Sequence, residues 1–165
     1  MTPAVKQEAR KRVYVAGPYS AGNVMQVFEN MRRGMRVATE LTHEGYAPFC
    51  PWHDYHHSLM TDPLAGETLS IRDYYETTIA YLDVSDVVFV IPTDDNVGTH
   101  WQDSVGTLVE INRAIDRGID VVIGSRDLLR LMCPVNEAAG QLACRRLELH
   151  NQVISFHRGV YFIED

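Results

Sequence analysis

Three short runs of β-branched and apolar residues punctuate this chain: VYVA at 13–16, VVFVI at 87–91 and IDVVI at 119–123. Each is too short for a helix and continuous enough for a strand covered on both faces. Between them lie segments of a different period. In MQVFENMRRGMRVATELTHEG the residues Val27, Phe28, Met31, Met35, Ala38 and Leu41 recur at helical spacing, with charges opposite and Gly45 as a stop. Residues 71–82 and 105–117 read as further helices, and 128–132 as a short one. YAPFC at 46–50 is a second strand, edge-like because of Pro48, and QVISF at 152–156 a last one. Strands alternating with helices imply right-handed crossovers and a parallel sheet. The expected fold is therefore α/β, flavodoxin-like (Rossmann-like), with a five-stranded, mostly parallel sheet and helices on both faces. It occupies residues 13–165 as one domain, behind a charged leader at 1–12.

Composition narrows the partners. A formal charge of -7 opposes binding to a nucleic-acid polymer, which depends on Lys and Arg neutralising phosphates. The leader MTPAVKQEARKR lacks the apolar stretch of a signal peptide, and no apolar run approaches the roughly 20 residues of a membrane helix. Cys50, Cys133 and Cys144 are odd in number and widely spaced, which disfavours a disulfide framework or zinc knuckle. The expectation is a cytoplasmic protein with a small-molecule partner and no membrane contact.

Ligands of such sheets lie outside the carboxyl ends of the strands, where the loops 17–23, 52–57 and 92–106 fall. In GPYS, Gly17 permits close backbone approach, Tyr19 can stack on a base and Ser20 can donate to a phosphate, although the same residues suit a plain turn. Neither GxGxxG nor GxxxxGK[ST] is present, so a dinucleotide or ATP site has no support. His53, His56 and His57 beside Asp54 lack a cysteine pair or HExxH, which favours loop histidines over a metal site. No metal or cofactor is expected. The stretch DSVGTLVEINRA admits two readings of Glu110. Thr107-x-x-Glu110 fits a capping box, with the glutamate reaching back to the N-cap N–H. Yet Gly98, Ser104 and Gly106 directly precede a helix N-terminus, a ready anion site, and a carboxylate beside a bound sugar phosphate can attack its anomeric carbon.

YVAGPYS after the first strand, a helix bearing Asn30 and Glu40, the strand end PFCPWH, and DVVFVIP followed by SVGTLVEINRA together resemble the nucleoside 2-deoxyribosyltransferase-like superfamily. The likeness runs from about residue 13 to 123, and the S-x-G-x-x-x-E element is its specific part. The resemblance implies that Glu110 is the nucleophile that attacks C1′ of a (deoxy)ribose and displaces the base; water then makes a hydrolase and a second base a transferase. Transferases of the superfamily carry an aspartate at position 104, and the nucleoside 5′-monophosphate N-glycosidases a serine. Ser104 thus points to the N-glycosidase branch, with Gly106 and the loop from Gly17 to Ser20 holding phosphate and sugar, and with Tyr19 and His53 on the base side.

One position departs from the pattern. The superfamily's aspartate that delivers a proton to the leaving base is Thr78 here, and Asp54, Asp73 and Glu76 are the carboxylates that can substitute. The alternatives that follow are a deoxyribosyltransferase acting on free deoxynucleosides and a nucleotide-binding protein without activity. A phosphoribohydrolase shares G-T-x-x-E but not the P-G-G that precedes it. The resemblance also implies a homodimer or higher homo-oligomer in which a neighbour closes the site, a part open to Asn151 and GVYFIED.

Overall fold

The computed structural model describes residues 9–92, 100–149 and 152–163. The strands are β1 (Arg12–Ala16), β2 (Ala47–Phe49), β3 (Val87–Val90), β4 (Val121–Ile123), β5 (Ile154–His157) and β6 (Val160–Ile163). They form one sheet in the order β2-β1-β3-β4-β6-β5. All neighbouring pairs are parallel except β5 with β6. The helices are α1 (Val24–His43), α2 (Tyr55–Met60), α3 (Ile71–Leu82), α4 (Val105–Arg117), α5 (Arg126–Met132) and α6 (Glu137–Leu149).

Strand alternation sorts the core into two layers. Val13 and Val15 of β1, with Val87 and Phe89 of β3, pack against Ala38 and Leu41 of α1 and Leu128 and Leu129 of α5. Tyr14 and Ala16, with Val88 and Val90, face Leu82 of α3 and Ile111 and Ala114 of α4. Both faces of β1 and β3 are therefore covered, which is why their sequences read as unbroken apolar runs. Each fully buried Val, Leu or Phe stabilises the fold by about 1.5–3 kcal/mol. The sheet's order reverses between β1 and β3, and the crevice at their carboxyl ends is where open α/β sheets bind ligands.

Local signals set the helix ends near the site. Asn23 caps α1 by accepting from the Gln26 N–H, and Ser70 and Asp73 form a reciprocal capping box on α3. Gly118 ends α4 with φ of 68°, the left-handed geometry that glycine adopts without strain.

The sheet has six strands rather than five. The QVISF segment supplies β5, an antiparallel edge strand, and the fifth parallel position belongs to β6. The two are joined by Arg158 and Gly159, both at positive φ (49° and 84°), as a type I′ hairpin turn requires. Arg-Gly is not the Asn-Gly or Asp-Gly that marks such turns, which hid the hairpin. GVYFI is built into the sheet beside β4, and Asn151, Glu164 and Asp165 lie outside the described residues. Arg12, assigned to the leader, opens β1, and its N–H and guanidinium both donate to Asp86. Residues 55–60, expected in a loop, form α2, and α6 was not foreseen. No helix among the described residues is long and apolar enough to cross a membrane.

Candidate active site

A cavity of about 620 Å³ opens at the carboxyl ends of β1 and β3. Glu110 lines its floor, and the Tyr14 hydroxyl behind it donates to Glu110 Oε1 at 2.7 Å. The pairing follows from strand geometry. Tyr14 points to the opposite face from Val13 and Val15, toward α4, and a phenol buried there needs a polar partner. Glu110 sits in the second turn of α4 with its side chain buried. Burial pushes its carboxyl up from an ordinary 4.5 to about 8, and the Tyr14 hydrogen bond pulls the other way. Burial likewise raises the Tyr14 phenol, and the charge of Glu110 adds to it, while the Thr78 hydroxyl beside it acts in the opposite sense.

The capping-box reading of Glu110 is overturned. Ser104 is the N-cap, its Oγ accepting from the Thr107 N–H at 3.3 Å and from the Thr107 hydroxyl at 2.9 Å. Thr107, not Glu110, is the residue three beyond the cap, so the glutamate lies too deep in the helix to reach back. With its lone pairs engaged, the Ser104 hydroxyl has its own hydrogen as the group it can offer into the cavity. Gly106 lines the same wall, and the N–H groups of this first turn carry the positive end of the helix dipole.

Opposite α4, Gly17, Tyr19 and Ser20 line the cavity as the sequence places them. Gly17 is needed for space: a Cβ there would lie 2.5 Å from Ile91 and 3.2 Å from the Trp52 ring. The loop is tied down by Asn30, whose side-chain amide donates to the Tyr19 carbonyl at 3.3 Å. Gly34, one turn along α1, makes the seat for Trp52, since a Cβ there would fall 2.3 Å from the indole. That contact explains a glycine in a helix interior, where it costs about 1 kcal/mol relative to alanine.

His53 is not on the cavity wall. It is exposed within the 3-10 turn Pro51–Asp54, where the residues on either side, Trp52 and Asp54, face inward. About three residues per turn place consecutive side chains about 120° apart, so a turn that buries Trp52 sends His53 to solvent. The cavity wall near this turn is instead aromatic, with Trp52, Tyr55, Tyr74 and Tyr75 joining Tyr19. Thr78 lines the cavity too, and its hydroxyl donates to the Tyr75 carbonyl.

Among the described residues three carboxylates reach this cavity: Asp54, Asp103 and Glu110. Burial raises the Asp54 carboxyl, with His57 and His53 working against it. Asp73 and Glu76 are engaged elsewhere, in the α3 capping box and in an ion pair with Arg72. Among the described residues no lysine or arginine lines the cavity. Nor does any group of three or more His, Cys, Asp or Glu there have the arrangement to hold a metal ion. Gly98 falls outside the described residues.

No protein-family description matches the chain, and no curated protein matches it. Among solved structures it is similar to a conserved protein from Enterococcus faecalis, with a TM-score of 0.50, 15% identity, and coverage of 86% of this chain and 88% of that one. It also matches a 2-deoxyribosyltransferase from Bacillus psychrosaccharolyticus (TM-score 0.47, 17% identity, 68% of this chain and 70% of that one). A third match is the Clostridium botulinum CMP N-glycosidase BcmB (TM-score 0.41, 16% identity, 84% and 99%). At these identities the likeness is one of fold.

Proposed function

We propose that this protein cleaves the N-glycosidic bond of a (deoxy)ribonucleoside 5′-monophosphate, with Glu110 as nucleophile. The observation that carries the reading is the Tyr14–Glu110 pair at 2.7 Å, buried on the floor of an aromatic cavity at the sheet's switch point. A carboxyl held without a cation at the bottom of a pocket is costly for a fold and useful for catalysis. The aromatic walls suit a stacked base, and the Ser104 hydroxyl with the first turn of α4 suits an anion.

In this reading a Glu110 oxygen attacks C1′ and the C1′–N bond breaks toward the base. Positive charge developing on the sugar favours the ionised glutamate, whereas burial by itself favours the neutral one. Tyr14 orients Glu110 by a hydrogen bond it donates in either state. Water then attacks C1′ of the glycosyl ester and releases (deoxy)ribose 5-phosphate. We further propose a homodimer, because Ile71, Tyr75, Val105 and Val109 are exposed on α3 and α4 near the cavity; sedimentation velocity reads it directly.

A second reading, base exchange on an unphosphorylated deoxynucleoside, is favoured by one observation. Asp103 lines the cavity beside Ser104, where a carboxylate would accept from a free 5′-hydroxyl and repel a phosphate. Incubation with nucleoside monophosphates, and separately with deoxynucleosides plus a second free base, tells them apart. Free base from the monophosphates alone is the expected result, and base exchange without a phosphate would overturn it. Glu110→Ala should abolish base release while monophosphate binding persists; unchanged turnover would remove Glu110 from the mechanism, and a wild type that binds but cleaves nothing would leave a binding protein.

A further inference from the structure

Breaking a bond between C1′ and a base leaves an electron pair on nitrogen, and most bases depart slowly unless that pair is met by a proton. Glu110 cannot supply it while acting as nucleophile. Thr78, on the wall beside Tyr14, has a hydroxyl that does not titrate in the useful range and is already donated to the Tyr75 carbonyl. Among the described residues, that leaves the carboxylates that line the same cavity.

We propose that Asp54 is the acid that protonates the leaving base, an assignment that rests on the N-glycosidic reading above. Its position argues for it. Asp54 ends the 3-10 turn Pro51–Asp54 and stands at the N-cap of α2, yet its side chain makes no capping hydrogen bond there. Its carboxyl is therefore not committed to the fold, unlike that of Asp73 in its capping box or Glu76 with Arg72. It lines the aromatic part of the cavity, and its charge is felt at the Tyr14 and Tyr19 hydroxyls, one behind the floor and one on the facing loop. Asp103, the remaining lining carboxylate among the described residues, lies at the N-terminus of α4 on the side assigned to the sugar phosphate.

Burial favours the protonated form of Asp54, while His53 and His57 on its own turn and helix favour the ionised form. A group balanced in this way can give a proton and take one back. In the first step Glu110 attacks C1′, the C1′–N pair passes to the base, and Asp54 gives its proton to that base and becomes a carboxylate. In the second, Asp54 takes a proton from water as the water oxygen attacks C1′, and Glu110 leaves as a carboxylate. The sum is one water consumed per base and sugar phosphate formed.

The test compares two leaving groups. Wild type, Asp54→Asn and Glu110→Ala are assayed on the nucleoside monophosphate that wild type cleaves and on the 5-phosphorylated 4-nitrophenyl glycoside of the same sugar, whose phenolate departs without a proton. Asp54→Asn should lose about 100-fold or more in kcat/KM, which reads the step that expels the leaving group, on the nucleotide and no more than about threefold in kcat/KM on the nitrophenyl glycoside, whereas Glu110→Ala loses both. Equal losses of kcat/KM on both substrates, or full nucleotide turnover by Asp54→Asn, would overturn the assignment and leave the role of Glu110 intact. Asp54→Ala, which adds no bulk to the wall, carries the same comparison should asparagine disturb the turn. A wild type that cleaves neither substrate overturns the N-glycosidic reading itself, and this assignment with it.

Discussion

Glu110 and Arg113 are one turn apart on α4, yet their surroundings are opposite. Arg113 donates to both oxygens of Asp83, at 2.7 and 2.6 Å, and Arg117 adds a third bond to that carboxylate. Held by two guanidinium groups, Asp83 titrates at about 2. Among the described residues Glu110 has a phenol and no cation beside it, and titrates at about 8. The helix does not lack positive charge; it spends that charge on fastening α4 to the end of α3 and withholds it from the cavity. One half of α4 is built for attachment and the other for chemistry, and the difference is written in which carboxylate receives an arginine.

The sharpest way to test that division is Glu110→Gln, which keeps shape and removes the nucleophile. Base release should fall by about 10⁴-fold or more, measured by single-turnover assay. The same variant should be more stable than wild type in alkali. Glu110 titrates at about 8 in the native state against 4.5 without the protein around it, so the folded chain keeps a proton that the unfolded chain releases. Wild-type stability should therefore drop as pH rises from about 5 to 8 and level off beyond, by on the order of 5 kcal/mol, and glutamine should remove that slope in melts taken across the range.

Tyr14→Phe should act more mildly, lowering kcat/KM by about 10- to 100-fold. Because the Tyr14 bond pulls the Glu110 carboxyl down, its loss should also move the rise of activity with pH to higher pH on a leaving group that needs no proton. Asp83→Asn should have the smallest effect: about 1 kcal/mol of stability at neutral pH, since the pair is partly exposed, and kcat within about twofold. The sign is opposite to that for Glu110. A depressed carboxylate stabilises above about pH 4 and ceases to as pH falls toward 2, so the cost of Asp83→Asn should vanish in acid.

Much of this division was legible in the residues. The apolar runs and the helical periods marked β1, β3, β4, α3 and α4, because a strand covered on both faces and an amphipathic helix each leave a one-dimensional pattern. Gly17, Tyr19, Ser20, Ser104 and Gly106 do share one cavity. What stayed hidden depended on direction rather than on pattern. In VYVA, Tyr14 reads as one more strand residue until alternation turns it toward α4. His53 and Asp54 are adjacent in sequence and separated by a third of a turn in space, so the residue singled out faces solvent and its neighbour faces the cavity. Glu110 and Ser104 both fit a helix start, and only the position of the first turn decides that the serine caps while the glutamate is buried. The β5–β6 hairpin went unread because its turn carries an arginine where asparagine is customary.

The threading of β6 between β4 and β5 has a consequence for how the chain is made. Every described residue that lines the cavity lies between positions 17 and 110 and leaves the ribosome before β4 does. The outer edge of β4, with its unpaired N–H and C=O groups, then waits for a strand that begins only at Val160. At roughly 5–20 residues per second that interval lasts seconds, during which a nascent chain with a nearly complete cavity presents an open sheet edge to other chains. Slowed translation or truncation ahead of β6 is thus expected to give aggregates rather than an inactive but soluble protein.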